Sequence, residues 1–417
     1  MMRKNLLFFV ILFLISSFII FFRFNLIPKN LSFDEVDFAK LTLSLDEKPY
    51  VPYSNLATGH STLYFYIILS SFKTFGFNNF ALRLPSAIFG VISILVFYLL
   101  IKELVSKSKY VDLFAFLTSF ILVTSRWFFN FARFSFEATF LLFLELTSLF
   151  FIIKYLKNQK TIFLILSGVF SGLSFLSYTP GRIFFLLPLM ILLIKKINWK
   201  KCLYFLLPFL IVSLPLIYYL VVNNDPRIKQ TSVFSQRISP PSKLALINEN
   251  VKRTASMFIF GGDMNGRHNY PGKPALNPIL GLFFIIGFIL SIKNFKEFNN
   301  KLMISYFIIA ILPTLFTKTA ENPNMLRTFT VLPSVSYFAT TAITRLSNIK
   351  FKLNKVYVLS IIFLLVLISS LYEIRTYFLF QSRVVKNSFE VKCNLEQIQK
   401  LKTNIIPKNC RVQKNEF

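Results

Sequence analysis

Apolar runs long enough to cross a bilayer recur through most of this chain, and they constrain its fold more than any motif does. A membrane-spanning helix needs about 20 largely apolar residues. About eleven such runs are present, at 5–22, 82–101, 111–127, 138–155, 161–178, 182–194, 202–222, 277–292, 301–317, 327–344 and 356–373. A membrane β-barrel would instead show alternating segments of about ten residues, and this pattern is absent. The composition agrees: 54% of the residues are hydrophobic and 53 are phenylalanine. The first run is too long for a signal-peptide core and lacks a small-residue cleavage site, so it reads as a retained helix. The expectation is an all-α polytopic membrane protein.

Charge sets the topology. The chain of 417 residues carries 47 Lys and Arg against 18 Asp and Glu, a formal charge of +29. The lysines fall in short clusters between the runs: Lys102, Lys107 and Lys109; Lys154, Lys157 and Lys160; Lys195, Lys196, Lys200 and Lys201; Lys293, Lys296 and Lys301; then Arg345, Lys350, Lys352 and Lys355. They occupy every second loop, the pattern of cytoplasmic loops. Arg3 and Lys4 precede the first run, which predicts a cytoplasmic N-terminus, an extracytoplasmic C-terminus and a multi-pass protein of the cell membrane. The excess charge is thus a topological signal that also suits anionic lipid headgroups. Charge spread in this way excludes nucleic acid as a partner.

Two of the predicted outer loops are long, 23–81 and 223–276. The first holds the semi-apolar stretch from Thr62 to Phe75, and the second an amphipathic stretch near Ser242 to Phe260, both expected to lie along the membrane surface. The second loop also holds the polar run Gly261-Gly262-Asp263-Met264-Asn265-Gly266-Arg267-His268-Asn269-Tyr270-Pro271-Gly272. The domain reading is a transmembrane core over 1–375 and a short outer tail over 376–417, too small for an independent core. Cys393 and Cys410 share that tail, where the compartment permits a disulfide and leaves two unpaired thiols equally open. Cys202 starts an apolar run on the lysine side.

In a chain this poor in acids, the run Ser32-Phe33-Asp34-Glu35-Val36-Asp37 gathers three of them just beyond the first span, on the predicted outer face. A carboxylate at a partly dry interface can accept a proton from a hydroxyl, which makes Asp34 or Glu35 a candidate base. Asp37 reads as a neighbour that favours a helix N-terminus. The short outer loops and outer helix ends use mainly arginine, Arg126, Arg133, Arg182 and Arg327, and the longer outer loops add Arg83 and Arg267. A guanidinium binds phosphate with two prongs and keeps its charge when partly buried. For any one of them, snorkelling to the interface is the simpler account; for the set, an anionic lipid headgroup is the better one. The two histidines, His60 and His268, both lie in outer loops. No Gly-rich phosphate loop, nucleophile elbow, HExxH motif or zinc spacing is present.

The order of these features resembles the membrane glycosyltransferases of the GT-C fold, in the group of protein O-mannosyltransferases and lipid A aminoarabinose transferases. In that group an Asp-Glu pair follows the first span, as in Ser32-Phe33-Asp34-Glu35. A His-Pro-Pro-Leu-Tyr-like segment and an Arg-Leu-Pro-Ser start to the second span look like Gly59-His60-Ser61-Thr62-Leu63-Tyr64 and Ala81-Leu82-Arg83-Leu84-Pro85-Ser86. Ser125-Arg126-Trp127, Ala132-Arg133-Phe134-Ser135-Phe136-Glu137 and Tyr178-Thr179-Pro180-Gly181-Arg182 resemble later outer turns. So do Gly262-Asp263 with Arg267-His268-Asn269, and Asn322-Pro323-Asn324-Met325-Leu326-Arg327. The resemblance covers about 1–345. Ser61 and Thr62 replace the two prolines after the histidine, and the large C-terminal domain of some relatives is reduced to the tail.

The resemblance implies a bundle of about eleven transmembrane helices with amphipathic helices on the outer face. It implies an inverting hexosyl- or pentosyltransferase that takes a sugar from a polyprenyl-phosphate carrier and passes it to a hydroxyl. Lipid, glycan and protein acceptors are all compatible. Asp34 would be the base and Glu35 would position donor or acceptor. Arg133, Arg182, Arg267 and Arg327 would stabilise the departing phosphate, with His60 and His268 as hydrogen-bond donors. Arg83, Glu137 and Asp263 are further site candidates. No cofactor or metal is required, since the lipid phosphate leaves as a stable anion, though the acids leave room for a divalent cation. A lipid-linked glycan transporter or flippase is the alternative, and a scaffold subunit with a decayed site a third reading. Transporters carry charge at the midplane, whereas here Glu145 is the clearest charge inside a span.

Overall fold

Every expected span folds as helix. The computed structural model describes residues 2–106, 110–223, 225–236, 239–347, 355–400 and 407–412. The spans are α1 (Met2–Phe21), α4 (Asn79–Leu104), α5 (Val111–Thr124), α7 (Ala138–Asn158), α8 (Thr161–Ser177), α9 (Leu186–Ile194), α10 (Trp199–Asn223), α13 (Pro278–Lys293), α14 (Phe298–Leu315), α15 (Leu332–Leu346) and α16 (Lys355–Arg375). Five helices among the described residues are long and apolar enough to cross a membrane on their own, at 79–104, 138–158, 199–223, 298–315 and 357–385. Short helices fill the outer loops: α2 (Phe33–Ser44), α3 (Leu63–Phe75), α6 (Arg126–Phe131), α11 (Pro226–Thr231) and α12 (Pro240–Met257). The tail adds α17 (Ser382–Ser388) and α18 (Leu395–Lys400). The surface helices expected at 62–75 and 242–260 correspond to α3 and α12.

Local chemistry fixes where these helices begin. Ser32 and Glu35 close a capping box at α2, each side chain bonded to the other's backbone N–H at 3.1 Å. Such a box satisfies two backbone donors that the first turn leaves open. Asn78 caps α4 and Asn277 caps α13, and a proline follows at the start of α13, where its missing N–H costs nothing.

Between spans, small residues let backbones meet, because lipid offers no hydrophobic drive for helix association. Gly168 and Gly172, four residues apart on α8, lie against α10; a Cβ at Gly168 would sit 2.2 Å from the Phe205 carbonyl oxygen. On the adjacent face of α8, Ser148 of α7 bonds Ser167 at 3.0 Å and Ser171 at 2.9 Å. Helix α7 is the buried centre of the bundle. Helix α10 turns bulky apolar side chains outward, Ile211 and Tyr218 each 70% exposed, as a lipid-facing helix does. Glu145, within α7, is buried and accepts a 2.7 Å bond from the Tyr306 hydroxyl.

The helices alternate in direction, so one face collects the lysine-rich turns and the other collects the acid cluster at Asp34. On the lysine-rich face Glu103 binds Lys154 and Lys157, both at 2.7 Å. The opposite face carries α2, α3, α11, α12 and a small hairpin of β1 (Tyr53–Ser54) and β2 (His60–Ser61), in which Ser54 pairs with His60. The tail returns to this face. Val391 bridges both Leu31 and Arg411, and Cys393 and Cys410 form a disulfide.

Candidate active site

Asp34 and Glu35 are neighbours with opposite fates, because successive residues on a helix point in different directions. Glu35 faces the core and is fully buried. Arg83 grips it from α4, Nε to Oε1 at 2.7 Å and Nη2 to Oε2 at 2.8 Å. The Ser32 and Ser135 backbone amides donate to its two oxygens, each at 3.1 Å. A carboxylate so occupied has no oxygen left for donor or acceptor, which corrects the role expected for Glu35. It fixes the start of α2 instead. Arg83 is equally committed, donating to the carbonyls of Pro28 and Asn30.

Asp34 faces outward with its side chain 45% exposed and forms an ion pair with Arg267. Arg267 comes from the polar run in the second long loop. That loop is folded around Asp263, which is buried. Asp263 accepts from the Asn265 amide at 2.8 Å, the Met325 amide at 2.9 Å and His268 Nδ1 at 2.8 Å. Asn130 donates to the Arg267 and His268 carbonyls at 2.9 and 3.2 Å. Gly262 has no room for a side chain, since a Cβ there would lie 1.8 Å from the Lys273 oxygen. Asp263 and His268 thus build the loop that delivers Arg267. With Nδ1–H given to Asp263, neutral His268 presents only an acceptor at Nε2, so it can donate to a ligand only when protonated. Asp37, the third acid of the cluster, stands exposed one turn along. Lost hydration and the charge of Asp34 raise its carboxyl above the usual range, against the pull of Lys40.

A second cluster lies further along α2. Phe38, one turn beyond Asp34, packs edge-on against the ring of His60 at 5.1 Å. His60 Nδ1 meets Glu137 at 2.7 Å, and Arg227 Nη1 reaches His60 Nε2 at 2.6 Å. The partners assign the proton: Nδ1–H donates to the carboxylate and Nε2 accepts from the guanidinium. Burial depresses the His60 pKa, opposed by Glu137 and aided by Arg227. Burial pushes the Glu137 carboxyl up, yet its contacts with His60 and Arg227 bring it below the usual range. Both ring nitrogens of His60 are therefore spent inside the protein, and it does not act as the hydrogen-bond donor expected from sequence; it holds Arg227.

Arg227 leads to two more arginines. Its guanidinium lies over the Tyr178 ring, 5.8 Å from the centroid. Its backbone amide donates to Asp225 Oδ1 at 2.8 Å. The same carboxylate accepts from the Tyr53 hydroxyl at 3.0 Å and pairs with Arg182. Despite partial burial, that pairing keeps the Asp225 carboxyl below its usual range. Arg327 pairs with Glu321 and acts electrostatically on Tyr178, as Arg227 does. Arg182 Nε and Arg327 Nη1 are buried donors without any partner, and so are the hydroxyls of Ser61 and Ser177, next in sequence to His60 and Tyr178. Unfilled buried donors are rare, and two of these belong to guanidinium groups.

Of the arginines expected to take the phosphate, Arg267 is paired with Asp34 instead, and Arg133 is absent from this group, as is Arg126 of the wider outer set. Arg133 is fully buried and spends its guanidinium on the carbonyls of Ile19, Ile20, Phe22, Arg23 and Ile27, at 2.5 to 3.3 Å. It caps the end of α1 and cannot take a phosphate. Arg126 is tied to Glu373, Asn269, Gln381 and the Pro274 carbonyl. Conversely, sequence reasoning passed over Asp225, Arg227 and Tyr53. The signal for two of them was Asp225-Pro226-Arg227, an N-cap followed by proline at the first helical position. Among the described residues no three His, Cys, Asp or Glu side chains come together as a metal site would require.

Residues 59–223 match the family model described as dolichyl-phosphate-mannose-protein mannosyltransferase. No curated protein matches the chain. The fold is similar to that of ArnT from Cupriavidus metallidurans bound to undecaprenyl phosphate, with a TM-score of 0.51 and 13% identity over 92% of this chain and 77% of that one. It is also similar to the archaeal oligosaccharyltransferase AglB from Archaeoglobus fulgidus in complex with an inhibitory peptide and a dolichol-phosphate, with a TM-score of 0.55 and 15% identity. That match covers 92% of this chain but 56% of AglB, so the chain spans little more than half of that relative. At such identities the likeness establishes architecture. The chain is a multi-pass membrane protein with the GT-C fold of membrane glycosyltransferases.

Proposed function

We propose that this protein is an inverting glycosyltransferase that moves a sugar from a polyprenyl-phosphate carrier to a hydroxyl at the outer membrane interface. The carrying observation is that, of the four acids placed in the candidate site from sequence, Asp34 is half-exposed while Glu35, Glu137 and Asp263 are buried. The lipid phosphates bound to ArnT and AglB support the donor class, as does the family model over 59–223. The lysine-rich turns support an N-terminus in the cytoplasm and the Asp34 face outside.

In this reading the acceptor oxygen attacks the anomeric carbon while its proton passes to Asp34. The bond from that carbon to the phosphate oxygen breaks, and the electron pair leaves with the lipid phosphate. Arg182, Arg227 and Arg327 face the departing anion, with the unfilled N–H groups of Arg182 and Arg327 as its first donors. Arg267 pairs with Asp34 and aims it. Residues 1–375 form the catalytic body and the tail braces it. The acceptor is a hydroxyl of a lipid, glycan or protein.

The test is transfer from a panel of polyprenyl-phosphate monosaccharides by the purified protein in vesicles. Asp34→Asn should lower transfer by about 10²- to 10⁴-fold, with an unchanged melting temperature. Undiminished transfer by the folded variant overturns the base. Donor movement across the vesicle without any transfer by the wild type overturns the enzyme and makes the protein a flippase.

A further inference from the structure

A large cavity lies on the face away from Asp34. It encloses about 1610 Å³ and opens at the lysine-rich face, between α5, α15 and α16. Its origin is the way α16 is attached. At the Asp34-side end, Ser370 bonds Thr124 at 3.0 Å, Ser369 bonds Asn277 at 2.9 Å, and Glu373 bonds both Asn277 and Arg126. Towards the other end the facing side chains are apolar, among them Leu113, Phe114 and Leu117 of α5 and Leu359, Phe363 and Val366 of α16. Phe363 is 69% exposed and Leu359 is 46% exposed. Among the described residues the polar contacts of α16 fall at the Asp34-side end, and a wedge lies beside the other end.

We propose that this wedge is a binding site for an anionic phospholipid, with acyl chains between α5, α15 and α16 and its phosphate at the lysine-rich mouth. Protein interiors do not sustain voids of this size, and apolar walls within a bilayer are solvated by hydrocarbon rather than by water. The mouth supplies the sign of the headgroup. Of the charged groups that line it, Lys157, Lys195 and Arg345 outnumber Glu103 and Glu297; Glu103 is bound by Lys154 and Lys157, and Glu297 accepts from the neutral Asn300 at 3.0 Å. Neither Arg345 nor Lys195 has an acidic partner among the described residues; Lys195 rests over the Phe298 ring at 4.0 Å. The surplus at the mouth is therefore cationic. The site does not depend on the proposed transfer reaction, and its occupant would steady α16, whose far end holds Arg126 and through it Asn269 of the Arg267 loop.

The experiment is native mass spectrometry of the full chain in an uncharged detergent, titrated with phosphatidylglycerol or phosphatidylcholine. A phosphatidylglycerol with a photoreactive acyl chain then maps the contact. Preferential retention of phosphatidylglycerol, with adducts in 110–120 and 359–367, is expected. Changing Arg345→Gln and Lys195→Gln together should reduce the preference by about 30-fold, each interfacial cation contributing about fivefold. High salt on the wild type should erode the same preference, which keeps the test open if the double variant does not fold. Equal retention of the two lipids, or adducts concentrated on the lipid-facing side of α10, overturns the proposal.

Discussion

Glu35 and Arg83 form a two-pronged ion pair sealed from solvent, with side chains 0% and 2% exposed. The pair joins the capped start of α2 to α4 and, through the Pro28 and Asn30 carbonyls, to the loop between. The carboxylate that looks most like half of a catalytic pair in sequence is therefore the bolt that holds the other half in place. Removing one partner of such a pair leaves an uncompensated buried charge, at a cost of about 3–5 kcal/mol. Glu35→Ala and Arg83→Ala should each lower the melting temperature in detergent substantially. The double change to Glu35→Leu and Arg83→Met should melt above either single alanine variant, because an apolar pair can replace a buried ion pair. A double variant no more stable than the singles would show that Glu35 matters beyond this pairing.

Arg133 and Arg182 separate structural from chemical arginines. Arg133 satisfies the carbonyls at the end of α1, and each buried carbonyl left unbonded costs about 1–3 kcal/mol. Arg133→Lys replaces a five-donor fork with a point charge and should lose stability before it loses anything else. Arg182→Lys keeps a cation near Asp225 but removes the unpartnered Nε. It should leave the melting temperature near that of the wild type and weaken binding of a polyprenyl phosphate about tenfold, the loss of one charge-assisted bond. Isothermal titration with the lipid phosphate measures it. Equal affinity in the two proteins would remove Arg182 from the anion site.

The bundle was legible because hydropathy and lysine placement are one-dimensional signals: a span satisfies its own backbone, so it declares itself in sequence. The half-exposed position of Asp34 was legible for the same reason, as an acid at a predicted boundary. What could not be read was which polar groups the fold itself consumes. Arg133 and Arg182 look alike in sequence. They differ only because α1 ends beneath Arg133 and leaves it bare carbonyls, whereas Arg182 meets one carboxylate and keeps a spare N–H. His60 was noticed but misjudged, since its two partners lie 77 and 167 residues away. Arg227 escaped notice because Asp225-Pro226-Arg227 marks a helix start in sequence but not that the arginine will sit on Tyr178.

His60 gives the fold a pH dependence distinct from that of its acids. Burial holds its pKa below the usual value of 6.5, so it is neutral in the native state. The groups facing it are Glu137, which favours the charged ring, and Arg227, which opposes it. The unfolded chain takes up a proton below about pH 6.5 that the native state refuses. Stability is therefore fully present above that pH and is lost as pH falls through it, by up to about 1.4 kcal/mol per unit. Glu137 and Asp225, with lowered carboxyls, contribute only as pH falls below their usual values of 4.5 and 3.8. Melting temperatures between pH 5 and 8 should decline on the acid side in the wild type and flatten in His60→Gln, which can still bond both partners. An unchanged slope in the variant would place the titration elsewhere.

The tail supplies the last constraint on Asp34. Leu31 and Val391 exchange backbone hydrogen bonds at 3.0 and 2.9 Å, three residues before the proposed base. Val391 is held in turn by the strand beside it, with Lys392 donating to the Cys410 carbonyl and Val412 to the Glu390 carbonyl, both at 2.8 Å. The disulfide closes that strand pair across a separation of 17 residues, and Phe389 packs on Phe134 at 5.3 Å. A cross-link over a loop of this length contributes about 3 kcal/mol, roughly a hundredfold in the opening equilibrium of the segment it closes. Reduction, or Cys393→Ser with Cys410→Ser, should therefore raise amide exchange at Leu31 and Val391 by up to that factor. Amides in α7 and α8 should stay as protected as before. Sugar transfer should fall with the exchange at Leu31 and recover on reoxidation of the wild type but not of the serine variant. Unchanged exchange at Leu31 after complete reduction would show that the tail lies on the site without bracing it.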